Sequence, residues 1–229
     1  GGAGVAGGGT REPAGTRGRG PGGLGRDALK HRPADGRQDV SDRLAPPKAP
    51  MKRRIFVDTE WTAPPWSSRC ELMWVGLADE AGHSWYGISS EVAIDPAGNS
   101  FVSGAFRLIA PDEPRLSRPQ LAAAVVDFCG AVDEFWAWIP TFESFAQWSG
   151  LGDEAAGVFD RCRTVDLQLL QALVQPWPTG WPDCLHDLNA AAAAAEVAIP
   201  QRAANHLHPR VHAEWNRQLF ASIRATGRV

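Results

Sequence analysis

The change from apolar to polar positions is most abrupt between Arg53 and Trp61, where Arg-Arg-Ile-Phe-Val runs into Asp-Thr-Glu-Trp. A short apolar run, β-branched at Ile55 and Val57, that stops on two carboxylates predicts a buried strand whose last residues leave the core. Residues 71–79 (Glu-Leu-Met-Trp-Val-Gly-Leu-Ala-Asp) predict a second buried strand, 80–82 a turn and 83–89 a third strand, together an antiparallel meander. The proline-interrupted stretch 91–118 predicts a loop with one short helix near 101–108. Pro119 suits the first position of a helix whose apolar residues Leu121, Val125, Phe128 and Val132 recur at helical spacing. The aromatic run 134–139 predicts a fourth strand, and Pro140-Thr141-Phe142-Glu143 leads into a helix reaching Gly150 or Gly152. Further helices are expected over 164–173, over the alanine-rich 184–197 and over 210–224, with a turn at 176–182.

Composition separates the first 50 residues from the rest. They hold 13 of the 24 glycines, no aromatic residue and only five large aliphatics, which is too little apolar surface to offset chain entropy. The expectation is a disordered low-complexity tail over 1–50 and one α/β domain over 51–229, with Met51 as the natural start of the protein. Charge divides the same way: nine Lys/Arg against five Asp/Glu in the tail leave 14 against 21 in the rest. An acidic domain argues against gripping long duplex nucleic acid, which is built on clustered Lys/Arg, but leaves room for a short single-stranded end entering a metal site. No apolar run reaches the ~18 residues that span a bilayer. Cys70, Cys129, Cys162 and Cys184 are scattered without a Cys-x-x-Cys pair, which fits buried, reduced thiols and a cytoplasmic setting.

The chemistry gathers around the first strand. Side chains two apart on a strand share a face, so Asp58 and Glu60 project to one side roughly 7 Å apart along it. Hard divalent cations want such carboxylate oxygens, whereas two carboxylates side by side repel each other without one. A solvated strand end explains the same residues without a metal. Glu143 would stand in the first turn of a helix, where an acid is also favoured by the helix dipole alone. Trp61, beside the acids, and Phe142 are positioned to stack on a base; Trp74, Trp85, Trp136 and Trp138 fall within strand patterns and Trp215 on the last helix, which suits packing.

Three strands, a helix and a fourth strand, with acids after strands one and four, resemble the DEDD (DnaQ-like) 3′-to-5′ exonucleases of the RNase H-like fold. The nearest likeness is to the RNase AS branch of polyadenylate-specific exoribonucleases, carried by Asp58-Thr59-Glu60-Trp61, Glu71-Leu72, Val75-Gly76, Trp136-Ala137-Trp138, Phe142-Glu143 and Gly152, over roughly residues 53–220. The resemblance implies an α/β fold with a mixed sheet flanked by helices, two divalent ions (Mg²⁺ or Mn²⁺), a single-stranded RNA or DNA 3′ end as substrate, and a homodimer. It places metal ligands at Asp58, Glu60 and Glu143, the last standing where the family has aspartate, and puts Thr59, Trp61 and Phe142 against the substrate. In the third motif the family's metal-binding aspartate falls on His212 and its general-base histidine on Leu207, between His206 and His208. A shifted register would recruit Glu214, about 200° around the helix from His212. His206 or His208 is then the candidate base, with a reference pKa near 6.5; helix capping or solvation explains either equally. Exchanging a carboxylate for imidazole weakens a Mg²⁺ site and suits Mn²⁺ or other borderline ions. The departures leave a second reading open: an exonuclease-fold protein that has lost hydrolysis and binds nucleic-acid ends or a protein partner. A partner-binding module with no nucleotide role is the third.

Overall fold

A computed structural model describes residues 52–92, 113–201 and 208–228. The tail, the expected helix at 101–108, His206 and Leu207 lie outside the described residues. Four strands expected from the pattern form where they were expected: β1 (Arg54–Trp61), β2 (Leu72–Asp79), β3 (Ser84–Ser89) and β5 (Glu134–Ala137). Two short ones complete the sheet, β4 (Arg115–Leu116) and β6 (Leu185–Asp187). The order is β4-β3-β2-β1-β5-β6. β1, β2 and β3 are antiparallel, as the meander predicts, whereas β5 runs parallel to β1 and β6 parallel to β5. The domain is therefore α/β with a mixed sheet and helices on both faces.

Alternation along β1 sorts those faces. Ile55 and Val57 point into a core completed by Leu121 and Val125 of α1 (Arg118–Cys129) and by Leu170 and Leu173 of α4 (Val165–Leu173). Phe56 points the other way, into a core made with Trp136, with α5 (Leu188–Ala194) and with α6 (Pro209–Ala225). The Phe220 ring lies 5.3 Å from Phe56 and 4.8 Å from Trp136. Leu219, Phe220 and Ile223 are almost fully buried, and each such side chain contributes about 1.5–3 kcal/mol by leaving water. The close seat of α6 on β2 depends on one residue: a Cβ at Gly76 would fall 2.1 Å from the Pro209 carbonyl carbon.

Three expectations need correction. The alanine-rich helix was expected from Cys184, but 185–187 pair with β5 as β6, and Asp187 caps α5 by accepting from the backbone N–H groups of Asn189 and Ala190. A helix with no forecast, α3 (Ala155–Cys162), follows a single 3₁₀ turn at Gly152–Glu154 and packs with α2 (Phe142–Ser149) through Phe145, Ala155 and Phe159. Val132 lies beyond the end of α1, which stops at Cys129, and it is buried in the core without being helical.

Candidate metal centre

The parallel pairing of β1 with β5 covers only Arg54–Phe56 of β1, with Phe56 opposite Trp136. β1 runs on for five residues beyond that point, so its edge opens at the carboxyl ends of the two strands, where α/β sheets hold their ligands. Two backbone groups of this segment are satisfied by side chains, one from α6 and one from α4. From α6, the fully buried Asn216 donates Nδ2–H to the Val57 carbonyl at 2.9 Å. From the first turn of α4, Asp166 Oδ1 accepts from the Thr59 backbone N–H at 3.0 Å and from the Thr59 hydroxyl at 2.5 Å. A register shift between Glu60 and Trp61 ends the regular pairing with β2, and such irregularities re-aim side chains next to sites.

Asp58 and Glu60 share the α6 face of β1, as their spacing requires, and both are buried, at 9% and 8% exposure. His212 meets them from α6, with Nδ1 3.2 Å from Asp58 Oδ2. One ligand atom from each of Asp58, Glu60 and His212 lies within 4.8 Å of the other two. A three-donor group of this size can hold a divalent ion. Two carboxylates and an imidazole suit Mn²⁺ or another borderline ion better than Mg²⁺, which takes oxygen ligands in a near-octahedral shell. The cluster accounts for one ion, where the resemblance implies two.

These residues line a cleft of about 270 Å³, near the lower end of the ~300–1,000 Å³ typical of small-ligand sites. Thr59, Trp61, Trp138, Trp148, Arg163 and Asp166 contribute to its walls. Trp148 is 50% exposed. Trp138 packs edge-on against Trp215, with ring centroids 5.3 Å apart, so the last tryptophan of the strand-four run serves the cleft as well as the core. Trp74 and Trp136 are buried, as their strand positions predict.

Several residues singled out from the sequence stand elsewhere. Glu143 is exposed on the first turn of α2 and is no part of the three-residue cluster. The acid that reaches the cleft from outside β1 is Asp166, which the resemblance did not mark. Phe142, 42% exposed, lines a second hollow beside the first and meets Phe159 edge-on at 5.6 Å. His208 is the N-cap of α6: its Nδ1 accepts from the Arg210 backbone N–H at 3.3 Å, and its ring sits 4.4 Å from Tyr86 and 5.7 Å from Trp74. Burial, joined by the positive charge of Arg210, lowers its pKa. It is not among the residues that line the cleft. Glu214 accepts from the Ser84 hydroxyl at 2.5 Å and faces β3; of the two registers considered for the third motif, the structure turns His212 toward the acids. All four cysteines are free, and burial pushes the Cys129 thiol up to about 12 and the Cys70 thiol up to about 11, which keeps both protonated and poorly nucleophilic. Among the described residues no helix is long and apolar enough to cross a membrane.

No protein-family model matches the chain, and no curated protein matches it.

Proposed function

We propose that the chain is a divalent-metal-dependent nuclease that hydrolyses phosphodiester bonds from the 3′ end of a single strand, RNA in preference to DNA. The observation that carries this reading is the convergence of Asp58, Glu60 and His212 to within 4.8 Å in an aromatic-walled cleft at the open end of β1. The strand order, with an antiparallel β1–β3 followed by β5 and β6 parallel to β1, supports an RNase H-like domain of the DnaQ-like exonuclease kind. That family likeness is the source of the 3′-to-5′ polarity and of the preference for RNA.

Asp58 and Glu60 supply two negative charges and His212 a neutral nitrogen donor. The three would together hold a divalent ion, which would supply Lewis-acid polarisation of a phosphoryl oxygen and stabilise the charge developing on it. Asp166, fixed on the Thr59 backbone and hydroxyl, locks the β1 segment that presents both acids, and this rigidity preserves the spacing of the donors. Trp61, Trp138 and Trp148 offer π-faces to a terminal base, a contact worth about 1–3 kcal/mol per stacked base and tolerant of base identity.

A second reading has its own observation: Glu143 stands outside the cluster, and two-metal hydrolysis needs acids for a second ion. On that reading the protein binds single-stranded ends without cutting them. The discriminating experiment is incubation of 5′-labelled single-stranded RNA with the full chain in Mn²⁺ and in Mg²⁺, with Asp58→Asn as control. A ladder shortening from the 3′ end, strongest in Mn²⁺ and absent in the control, is the expected result. Intact RNA in both metals, with folded protein that still retains the strand, would establish the second reading instead.

A further inference from the structure

The cleft that holds the acids is not closed on its α2–α3 side. There it adjoins the second hollow, about 300 Å³, which is walled by Ile139, Phe142, Asn189 and Ala193. Three residues belong to both: Pro140, Phe159 and Arg163. Pro140 and Phe159 form an apolar ridge, and Arg163, the residue just past α3, brings a cation to it. Arg163 is exposed, and among the described residues no carboxylate pairs with its guanidinium. The one acid lining the second hollow, Asp187, has its Oδ1 committed to the N-terminus of α5 at 2.8 and 3.2 Å. The ridge thus carries a planar cation between two hollows, each with an exposed aromatic ring at hand, Trp148 in one and Phe142 in the other.

We infer that this ridge is a second nucleotide-binding element, at which Arg163 contacts a backbone phosphate of a single strand as it leaves the acid cluster, while the next base lies in the hollow against Phe142. The inference rests on the proposed nuclease function. It moves Phe142 from the terminal base, where the sequence set it, to a base further from the 3′ end. The chemistry matches: guanidinium presents a fork of donors suited to phosphate, and a single strand alternates that anion with π-faces at the spacing of stacked bases. A free nucleoside 5′-monophosphate carries only the phosphate directed at the acid cluster and never reaches the ridge.

The test is binding of a fluorescein-labelled single-stranded ten-nucleotide RNA, in Ca²⁺ to suppress cleavage, by the full chain and by Arg163→Gln and Phe142→Ala variants. Competition by adenosine 5′-monophosphate is followed in parallel. Arg163→Gln should weaken the ten-mer about five- to ten-fold and lower the slope of log affinity against log salt by about 0.7, the value for one phosphate contact on a single strand. Phe142→Ala should weaken the ten-mer without changing that slope, and the monophosphate should compete equally well against all three proteins. Unchanged ten-mer affinity and salt slope in Arg163→Gln, with the parent chain binding tightly, would overturn the second element and leave the nuclease reading standing. Failure of the parent chain to bind the ten-mer at all would overturn both.

Discussion

The two ends of β1 treat carboxylates in opposite ways. At the lower end, Glu134 accepts from Lys52 Nζ at 2.5 Å, from Arg54 Nε at 2.6 Å and from the Trp136 indole at 3.0 Å. Glu80 is held there between Arg54 and Arg224, at 3.1 and 2.6 Å. Burial opposes ionisation of Glu134, but the bonds from Lys52, Trp136 and Arg54 outweigh it and bring its pKa down to about 2. At the upper end, Asp58 is matched with His212, which is charged only when protonated, and a second carboxylate, Glu60, is aimed at the same point. Acids matched by lysine and arginine secure strands to one another. Two acids and an imidazole that bring ligand atoms within 4.8 Å of one another have the geometry to hold a cation. The comparison teaches that burial alone does not distinguish an architectural acid from a functional one, since Glu134 and Glu60 are equally buried at 8%; the convergence of ligand atoms on one point does.

If this division is right, substitutions at the two ends should separate function from stability. The largest effect is expected from Asp58→Asn, which keeps the shape of the side chain and removes its charge: Mn²⁺ affinity should fall at least about a hundred-fold, with thermal unfolding shifted by no more than a few degrees. Calorimetric titration and a melting curve on the same sample check both halves. Glu134→Gln should do the reverse, costing about 2 kcal/mol at pH 7 after allowance for the solvent-exposed Lys52 partner, while Mn²⁺ affinity holds. The sign of its pH dependence follows from a carboxyl lowered from 4.5 to about 2 on folding. Its contribution is complete above 4.5 and fades as pH drops toward 2, so parent and variant denaturation midpoints should converge across that window.

A smaller effect should sharpen the identity of the cation. His212→Asp places a third carboxylate beside Asp58 and Glu60, and the ratio of Mg²⁺ to Mn²⁺ affinity should rise about ten-fold. The smallest effect is expected from His208→Ala, which removes a helix cap on the β3 side of α6. It should cost about 1 kcal/mol and leave metal affinity unchanged; a loss of metal affinity there would erase the distinction between the cap and the cleft.

Much of the meander was legible because short apolar runs bounded by charges, prolines and a glycine turn leave few alternatives, and Asp58 and Glu60 share a face by strand geometry alone. β6 escaped because three residues before an alanine run look like the start of a helix, and only pairing with β5 makes them a strand. α3 escaped because Gly152 and Gly157 obscured its periodicity. Asp166 was hidden for a different reason. Its bond to Thr59 spans 107 positions, and an acid in a helix first turn is explained by the helix dipole without any tertiary partner. The same ambiguity worked in reverse for Glu143, an acid in a first turn that remains at the surface. Turn and cap chemistry are local signals, whereas the gap between β1 and β5 that both Asn216 and Asp166 fill exists only once the sheet has formed.

The most direct test of the central claim is calorimetric titration of Mn²⁺ into the full chain and into the Glu60→Gln and His212→Ala variants. A site built from Asp58, Glu60 and His212 predicts one ion per chain for the parent and a loss of affinity of at least about ten-fold in each variant. Equal Mn²⁺ affinity in all three proteins, or no heat of binding to the folded parent, would contradict the assignment of this cluster as a metal centre.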